Sequence, residues 1–212
     1  RKNKVARRTS GTSRKEQIMA ANVDRVVPIF SVGEPPPEWD LLDRMLAIAE
    51  HEEIPVVICL NKVDLPWPTD IDAIVDDFER IGYPIIQTST VNDTNHDAFA
   101  ELLSQGITLF MGPSGVGKSS LLNWLQPGLE LRTGEISNVT GEGKHTTTHL
   151  ELVALDGGGM VGDVPGVKEF RFWGIESDDV PTLFREFVPH LEACKFRDCA
   201  HDHEPECGVK QA

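Results

Sequence analysis

The sequence predicts an α/β fold, with a mostly parallel sheet flanked by helices, followed by a small C-terminal domain that binds a metal ion. Two observations favour this fold. Short apolar segments alternate with longer amphipathic segments through most of the chain, as in successive βαβ units. Three of the four cysteines fall within fourteen residues near the C-terminus, which is more typical of a metal site than of paired disulfides.

Composition and charge exclude two broad classes of protein. The 212 residues are 40% apolar and 25% charged, which excludes wholesale disorder. No run approaches the roughly 18 apolar residues of a membrane span, so we expect no membrane association. The net charge of −14 is uneven, because residues 1–15 contain seven basic side chains and no acidic one. This arm is either a contact for a polyanion or a solvated tail.

The N-terminal residues carry no targeting signal and no regular pattern. The chain starts with Arg1 and no signal-peptide pattern follows, so we expect a cytosolic chain that begins inside a longer protein. Residues 1–20 have no apolar period and predict a basic linker or the remnant of an absent N-terminal domain.

The first strand and the first helix are separated by consecutive prolines. Residues 23–32 predict a strand, in which Pro28 costs a ladder hydrogen bond and therefore suggests an edge strand or a bulge. Residues 35–37 are all proline and end the strand. A helix follows, because apolar side chains recur at helical spacing at Trp39, Leu42, Met45, Leu46 and Ala49.

The later elements follow from the same periodicities. We expect strands at 55–60, 84–88 and 107–111, helices at 71–81, 97–104 and 119–125, and a hairpin of strands 150–155 and 160–163. Thr69 can cap the second helix and Gly82 ends it, while Cys59 is expected in the core. A helical period after residue 175 begins the C-terminal part, so the predicted domains are residues 21–175 and 176–212.

A phosphate-binding loop follows the strand at 107–111 and opens the helix at 119–125. The match to G-x-x-x-x-G-K-[ST] comprises Gly112, Pro113, Ser114, Gly115, Val116, Gly117, Lys118 and Ser119, with Ser120 next in the helix. Glycines let backbone N–H groups converge on phosphate oxygens, and the helix N-terminus adds partial positive charge. We expect Lys118 to reach the β- and γ-phosphates and the Ser119 hydroxyl to bind Mg²⁺.

Two further loops predict which base is bound. Asn61, Lys62, Val63 and Asp64 match N-K-x-D at the end of the buried strand 55–60, where open α/β sheets place ligand-binding loops. A carboxylate there can accept hydrogen bonds from N1–H and N2–H₂ of guanine, whereas adenine would leave it unpaired at a cost of about 1–3 kcal/mol. The residues after strand 84–88 include Ser89 and Thr90, and they fit a loop whose backbone N–H meets guanine O6.

The order of these motifs is unusual. In most GTPases the phosphate-binding loop comes first, whereas here the loops at 61–64 and 88–90 precede the loop at 112–119. Each loop still has to lie at the end of its own strand. The sequence therefore predicts a circularly permuted P-loop G domain.

Candidate switch residues follow the phosphate-binding loop. Asp163 and Gly166 fit D-x-x-G after a strand, so Asp163 is expected to hold Mg²⁺ through water and the Gly166 N–H to contact the γ-phosphate. The polar segment 141–149 suits a switch that orders around Mg²⁺ and the γ-phosphate. Thr147 is our choice for the Mg²⁺ hydroxyl, with Thr146 or Thr148 as alternatives.

The residue after Gly166 bears on catalysis. Many GTPases place a water-orienting Gln there, but this chain has Val167, whose aliphatic side chain cannot orient water. Either another group does so or intrinsic turnover is slow. His145 is the nearest candidate in sequence, and a solvent-exposed loop histidine is the alternative.

The C-terminal cluster supplies three thiolates and one imidazole. Cys194, Cys199, His201 and Cys207 are soft donors in the number that tetrahedral Zn²⁺ requires, and four protein ligands imply a structural site. His203 could replace His201. A zinc ion would fold a segment too small for its own core.

Taken together, these motifs resemble the circularly permuted, ribosome small-subunit-dependent GTPases known as the RsgA/YjeQ family. The resemblance covers roughly residues 20–210 and includes the order of the motifs. It rests on residues 20–24, 61–64, 112–120, 143–148, 163–170 and the cluster that ends at 204–207.

The resemblance implies an architecture and an activity. Family members have an N-terminal OB barrel, largely absent here, then a permuted G domain and a zinc-bearing domain. It implies GTP hydrolysis to GDP, slow alone and stimulated by the small (30S) ribosomal subunit during its late maturation, with His145 aiding hydrolysis. It also implies GTP or GDP, Mg²⁺ and one structural Zn²⁺ as ligands, and the subunit with its rRNA as partner. We expect a monomer in the bacterial cytoplasm, or in an organelle if a transit peptide precedes Arg1.

Two alternatives remain open from the sequence. The first is a zinc-stapled RNA-binding module whose G domain binds guanine nucleotide but seldom hydrolyses it. The second is a permuted GTPase of membrane or tRNA pathways, against which the zinc cluster argues. From residue 168 on, acidic side chains outnumber basic ones, so RNA contact follows from the resemblance and not from the composition.

Overall fold

The core of the molecule is a six-stranded sheet with helices on both faces. The computed structural model describes residues 2–8, 16–68, 71–129, 131, 150, 152–164 and 174–212. The sheet order is β5-β4-β3-β6-β8-β7. The strands are β3 Arg25–Ser31, β4 Ile58–Asn61, β5 Ile85–Thr88, β6 Ile107–Met111, β7 Leu152–Ala154 and β8 Met160–Asp163. All neighbours pair in parallel except β7 and β8, which form the predicted antiparallel hairpin.

The helices cover the two faces of this sheet. They are α1 Trp39–His51, α2 Ile71–Ile81, α3 His96–Leu103, α4 Lys118–Leu125 and, in the C-terminal segment, α5 Gly208–Gln211. The first four lie where periodicity predicts them. Alternate residues of β3 belong to two separate apolar clusters, Val26 and Phe30 with α1 and α2, and Val27 and Ile29 with α3 and α4. The central strand therefore contributes its side chains to both cores, as a period of two requires.

The central position of β3 corrects one prediction. Pro28 is buried in a strand that pairs on both sides, so it marks neither a sheet edge nor a bulge. Val26 exchanges hydrogen bonds with Pro55 and Val57 on the β4 side, and the next residue facing that side is Pro28, which has no N–H. The pairing with β4 is accordingly interrupted between the Val26–Val56 bridge and Ile29. Pro28 therefore costs the sheet one backbone hydrogen bond, as predicted, but the bond is lost in the middle of the sheet and not at its edge.

The prediction for residues 1–20 left two alternatives, a basic linker or the remnant of an N-terminal domain. Most of the described residues there belong to β1 Lys4–Arg8 and β2 Glu16–Ala21, which form an antiparallel pair and do not fit a linker. The buried Asn3 side chain donates from Nδ2 to the Val23 carbonyl at 2.9 Å and accepts from the Val23 N–H at 2.8 Å. Of the side chains described in these two strands, Val5 and Met19 are the ones buried in the core, one in each strand, which produces no visible period. The origin of this segment in an N-terminal barrel stays a prediction.

The C-terminal segment has shorter helices than its periodicity suggests. The predicted helical stretch after residue 175 consists of 3₁₀ helices at Val180–Leu183 and Val188–Ala193, each with a proline at its start. A proline at 189 lacks the N–H that a continuous α-helix would need there. The predicted cap Thr69 lies outside the described residues.

One arginine attaches this segment to the sheet domain. Arg185 donates from Nε to Glu50 at 2.8 Å and from Nη1 to the Gly82 carbonyl at 2.8 Å, and its guanidinium lies 4.1 Å from the centre of the Tyr83 ring. The planar guanidinium forms hydrogen bonds at its edge and stacks on the Tyr83 ring with its face, which a lysine ammonium could not do. The segment thus docks beside α1 and the end of α2. Among the helices described, none has the length and apolar character to cross a membrane.

We predict that Asn3→Ala lowers the free energy of unfolding by about 1–3 kcal/mol, because it leaves the buried N–H and carbonyl of Val23 unpaired. Urea denaturation followed by circular dichroism measures this as a lower midpoint. Asn92→Ala, at an exposed position, is the matched control. Equal midpoints for the two variants would show that the N-terminal strands are not part of the cooperative fold.

Candidate functional site

All the predicted nucleotide-binding motifs in the described residues lie at one edge of the sheet. Residues 61–64 follow β4, 88–90 follow β5, 112–119 follow β6, and Asp163 ends β8. These strands are parallel, so their carboxyl ends meet at the same edge. Sequence-distant motifs are thereby brought to one place, although β3 separates β4 from β6.

The phosphate-binding loop connects β6 to α4, and two of its glycines are required by close contacts. A Cβ at Gly112 would lie 2.3 Å from the Ile29 carbonyl oxygen of the adjacent central strand. Gly117 has a φ of 103°, and a Cβ there would lie 2.3 Å from Nδ2 of Asn61. Helix α4 begins at the next residue, so its free N–H groups open onto the loop. The Ser119 side chain is buried at this helix start.

Lys118 and Asp163 form the charged floor of the site. The Lys118 ammonium donates to the carbonyls of Gly112 at 2.8 Å and Pro113 at 3.1 Å, and lies 3.8 Å from Oδ1 of Asp163. Burial raises the pKa of Asp163 to about 6, against the opposing effect of the nearby ammonium. Burial likewise lowers the pKa of Lys118. Both charges are therefore poorly solvated here, which favours a ligand that carries its own charges.

The Asp163 carboxylate is suited to a metal ion. Its Oδ1 is buried and has no hydrogen-bond partner in the part of the chain that the structure describes. The Lys118 ammonium, at 3.8 Å, is beyond hydrogen-bond distance, and a buried carboxylate oxygen without a hydrogen bond is costly unless a cation or a water molecule contacts it. Hard oxygen donors such as this carboxylate and a serine hydroxyl suit Mg²⁺. The residues present thus fit the ion that the sequence predicts.

Asn61 joins three strands of the site through its side chain. Its Nδ2 donates to the Val116 carbonyl in the phosphate-binding loop at 2.8 Å, and its Oδ1 accepts from the Thr88 hydroxyl at 3.0 Å. The Asn61 and Thr88 side chains are both buried. Register explains the second bond, because Asn61 and Thr88 are paired across β4 and β5. The amide therefore fixes the loops after β4, β5 and β6 relative to one another.

The next residues of N-K-x-D reach over the loop and towards the 88–90 segment. Lys62 has a φ of 64°, and its ammonium donates to the Gly115 carbonyl at 2.6 Å and to the Glu34 carbonyl. Asp64 accepts a hydrogen bond from the Ser89 hydroxyl at 2.6 Å. One oxygen of the Asp64 carboxylate is thereby oriented from the side of β5. Val63 and Thr90 lie in the same two loops, partly buried.

Three catalytic candidates cannot be placed. His145, Thr147 and Gly166 lie outside the described residues, as do the alternatives Thr146 and Thr148. Of the predicted Mg²⁺ ligands, Ser119 and Asp163 are described. The expected switch roles stay predictions.

The C-terminal cysteines and His201 converge on one point. The ligand atoms of Cys194, Cys199, His201 and Cys207 all lie within 4.8 Å of one another. Sγ of Cys194 is 4.0 Å from Sγ of Cys207 and 3.6 Å from Nδ1 of His201, which lies 3.4 Å from Sγ of Cys207. With Zn–S near 2.3 Å and Zn–N near 2.0 Å, a tetrahedral site has S···S edges of about 3.8 Å and S···N edges of about 3.5 Å. The cluster therefore has the size that a zinc ion needs.

The alternative ligand His203 points elsewhere. It is exposed, and its Nε2 lies 3.0 Å from the Asp202 carboxylate. The adjacent loop is organised by Glu204, whose carboxylate accepts the backbone N–H groups of Ala200, Asp202 and His203 at 3.0 to 3.2 Å. These bonds lower the pKa of Glu204 to about 2. The carboxylate thus shapes the turn that carries His201.

Sequence reasoning missed the supporting roles of Thr88 and Glu204. Thr88 is the buried last residue of the edge strand β5, and its hydroxyl becomes a signal once β4 and β5 are aligned, because the register pairs it with Asn61. Glu204 follows two ligands in a short turn, but nothing in its spacing distinguishes an N–H acceptor from a solvated carboxylate. Both residues hold a predicted ligand-binding side chain in place.

Comparison with known proteins agrees with this geometry. A family model described as RsgA GTPase matches residues 1–173. A protein of Alkaliphilus metalliredigens named small ribosomal subunit biogenesis GTPase RsgA is 43% identical over 192 residues, which are 91% of this chain and 66% of the relative. A protein of the same name from Gemmatimonas aurantiaca is 42% identical over 212 residues, 100% of this chain and 69% of the relative.

Two solved structures share the fold. YjeQ from Thermotoga maritima matches with a TM-score of 0.73 and 35% identity, over 93% of this chain and 65% of that one. YloQ, described as a circularly permuted GTPase, matches with a TM-score of 0.67 and 31% identity, over 99% of this chain and 71% of that one. The predicted fold, a circularly permuted G domain, is confirmed. The chain spans between 58% and 69% of the length of the curated relatives cited and of a third from Pseudomonas aeruginosa.

Proposed function

This chain belongs to the RsgA GTPase family, and from that premise we propose that it binds GTP, hydrolyses it to GDP and phosphate, and acts in late maturation of the small ribosomal subunit. The observation that carries the proposal is the hydrogen bond from Asn61 to the Val116 carbonyl, which ties the N-K-x-D loop to the phosphate-binding loop. Two chance matches to short motifs would not be joined by a buried side chain. The link supports one nucleotide pocket.

The phosphates would lie against the start of α4. The first N–H groups of α4, which begins at Lys118, have no partner within the helix, and Lys118 supplies a positive charge that burial leaves poorly solvated. Ser119 and Asp163, with Thr147 from the predicted switch, would hold Mg²⁺. When bound, Mg²⁺ neutralises charge on the phosphate oxygens.

The base would be read by Asp64 together with the loop after β5. Its carboxylate can accept from N1–H and N2–H₂ of guanine, and the Ser89 hydroxyl restricts the orientation of one oxygen. Backbone N–H groups at Ser89 and Thr90 would meet guanine O6. The Lys62 stem, held over the loop by its bond to Gly115, would cover the face of the base. Selectivity for guanine then comes from paired polar groups that adenine would leave unsatisfied.

Hydrolysis would depend on residues beyond the rigid pocket. Val167 offers no amide to orient water, so we assign that role to His145 and the γ-phosphate contact to Gly166. We therefore expect GTP hydrolysis by the protein alone to be slow, because the predicted switch, residues 141–149, has to become ordered before His145 can orient water. Binding to the small subunit would supply that order, and different affinities in the two nucleotide states would couple hydrolysis to release.

The names of the relatives support the choice of partner. Curated relatives from bacteria are named small ribosomal subunit biogenesis GTPases. We extend this to contact with the subunit and its rRNA, and propose that the protein acts as a monomer in the bacterial cytoplasm. We also propose that Cys194, Cys199, His201 and Cys207 hold one structural zinc ion, since their spacing matches a tetrahedral site.

Asp64→Asn tests the base pocket. Because an amide cannot accept both guanine donors, we expect GTP affinity to fall about 10- to 100-fold, and XTP, with a carbonyl at C2, to bind more tightly than to wild type. Calorimetry with GTP, XTP and ATP measures both changes. Asp76→Asn, an exposed carboxylate on α2, is the control. Wild-type protein that binds ATP as tightly as GTP would refute the proposed pocket.

Single-turnover hydrolysis tests the catalytic proposal. Purified small subunits should raise the rate of GTP hydrolysis, and His145→Ala should reduce the stimulated rate by about 10²-fold or more with little change in GTP affinity. His51→Ala, at an exposed position at the end of α1, should leave the rate unchanged. The ribosomal role would be contradicted if subunits neither stimulate hydrolysis nor bind more tightly with a non-hydrolysable GTP analogue.

Thiol titration tests the metal site. Burial raises the pKa of Cys59 to about 12, so this thiol should stay unreactive in the folded protein. Zinc-loaded protein should therefore show almost no reactive thiol, three after chelation, and four after denaturation, matching the three cluster cysteines and Cys59. Three reactive thiols before chelation in protein folded with excess zinc would contradict a filled site.

A further inference from the structure

A second connection joins the base-reading side of the site to the phosphate-binding side. Trp124 lies on α4, the helix that begins with Lys118, and its Nε1–H donates to Oδ1 of Asp93 at 2.8 Å. Asp93 lies in the segment 89–95, which follows β5. The bond therefore links the helix under the phosphates to the loop that carries Ser89 and Thr90. It is independent of the Asn61 side chain.

The segment 89–95, here named the base loop, is closed on itself. The Thr94 N–H donates to the Ser89 carbonyl at 3.0 Å. The Ser89 hydroxyl accepts from the N–H groups of Val91 at 3.2 Å and Asn92 at 3.1 Å, while it donates to Asp64. Because these hydrogen bonds close the base loop into a small ring, a displacement of one of its residues displaces the others. Asp93 lies inside this ring, between Asn92 and Thr94, so a shift of Asp93 is passed on to Ser89.

The contact at α4 has the features of a specific attachment. Asp93 has a φ of 56°, a left-handed conformation that few residues adopt and that aspartate tolerates. The Trp124 ring is half-buried and packs edge-on against His96, with ring centres 4.7 Å apart. The indole is therefore held in place, with its N–H aimed at the loop. Hydrogen bonds to a carboxylate are stronger than neutral ones.

We propose that Trp124 and Asp93 are positioning residues for base selectivity: their hydrogen bond fixes the base loop against α4, so that the backbone N–H groups at Ser89 and Thr90 stay at the distance from the phosphates that guanine O6 requires. This inference rests on the proposed guanine pocket. Neither residue belongs to the motifs that are proposed to contact the nucleotide. Loosening their bond lets the loop shift, which weakens recognition of the 6-oxo group and leaves the phosphate contacts intact.

Trp124→Phe tests the proposal, because phenylalanine keeps ring packing against His96 and removes only the N–H donor. We measure dissociation constants for GDP and ADP by calorimetry on the full chain. The preference for GDP over ADP should fall about three- to tenfold, mainly through weaker GDP binding. Asp93→Asn keeps an acceptor oxygen and suits the left-handed backbone, so it should retain most of the preference.

The matched control is Trp67→Phe. Trp67 donates from Nε1 to Asp72 at 2.8 Å, an equivalent bond that connects neighbouring residues at the start of α2 instead of two loops of the site. This variant should keep the wild-type preference. Asp93→Gly tolerates the same φ and should reduce the preference for GDP as much as Trp124→Phe does. The double variant that combines Asp93→Gly with Trp124→Phe should lose no more of this preference than either single variant.

The outcomes separate the two proposals. Wild-type protein without a preference for GDP refutes the guanine pocket itself. A wild-type preference that Trp124→Phe retains within twofold refutes the positioning role, and so does an equal loss in Trp67→Phe or additive losses in the double variant. Melting temperatures of all variants establish that each is folded at the temperature of the titrations.

Discussion

The side-chain amide of Asn61 is the interaction on which the arrangement of the site depends. Its Nδ2 bonds to the phosphate-binding loop and its Oδ1 to Thr88 at the end of β5. The central strand β3 separates β4 and β5 from β6, the strand that leads into that loop. Burying an amide costs little when both of its ends are hydrogen-bonded. Removing it destabilises the fold much more, because both buried partners are left without a hydrogen bond. The same position explains why Gly117 must be glycine, since any Cβ there would collide with the amide. Rigid placement of three loops follows from one residue.

The sheet, its helices and the motifs could be predicted from the sequence because each has a local signal. Apolar runs and helical stripes predict α1 to α4 and β3 to β8 closely, and the strand-loop-helix context of the phosphate-binding loop leaves little ambiguity. Pro28 was assigned to the wrong kind of strand, since a missing N–H is visible in the sequence but the number of neighbouring strands is not. The N-terminal strands have no such signal, because each contributes one buried side chain, Val5 or Met19, among those that the structure describes, and one position shows no period.

Supporting contacts in the site could not be predicted for a similar reason. The bonds Trp124–Asp93 and Arg185–Glu50 join residues 31 and 135 positions apart, and no local pattern reports which surface residues meet. The cluster of three cysteines and His201 is the opposite case, because soft donors in a short segment have few uses other than metal binding and their spacing limits the geometry. A site whose residues are close together in the sequence can be predicted from the sequence. A contact between residues that are distant in the sequence requires the three-dimensional structure.

The central place of β3 has a consequence for the order in which the molecule forms. Within the six-stranded sheet β3 comes first along the chain, β4 and β5 extend it on one side, and β6, β8 and β7 extend it on the other. During synthesis the sheet can therefore grow outward from its middle: β4, β5 and β6 each meet an edge that already exists, and β7 and β8 are added together as a hairpin. The proposed nucleotide site, however, takes residues from both sides of β3, including Asp163 at the end of β8. A nascent chain thus cannot capture its ligand, and gains no stability from it, until almost the whole sheet has been made.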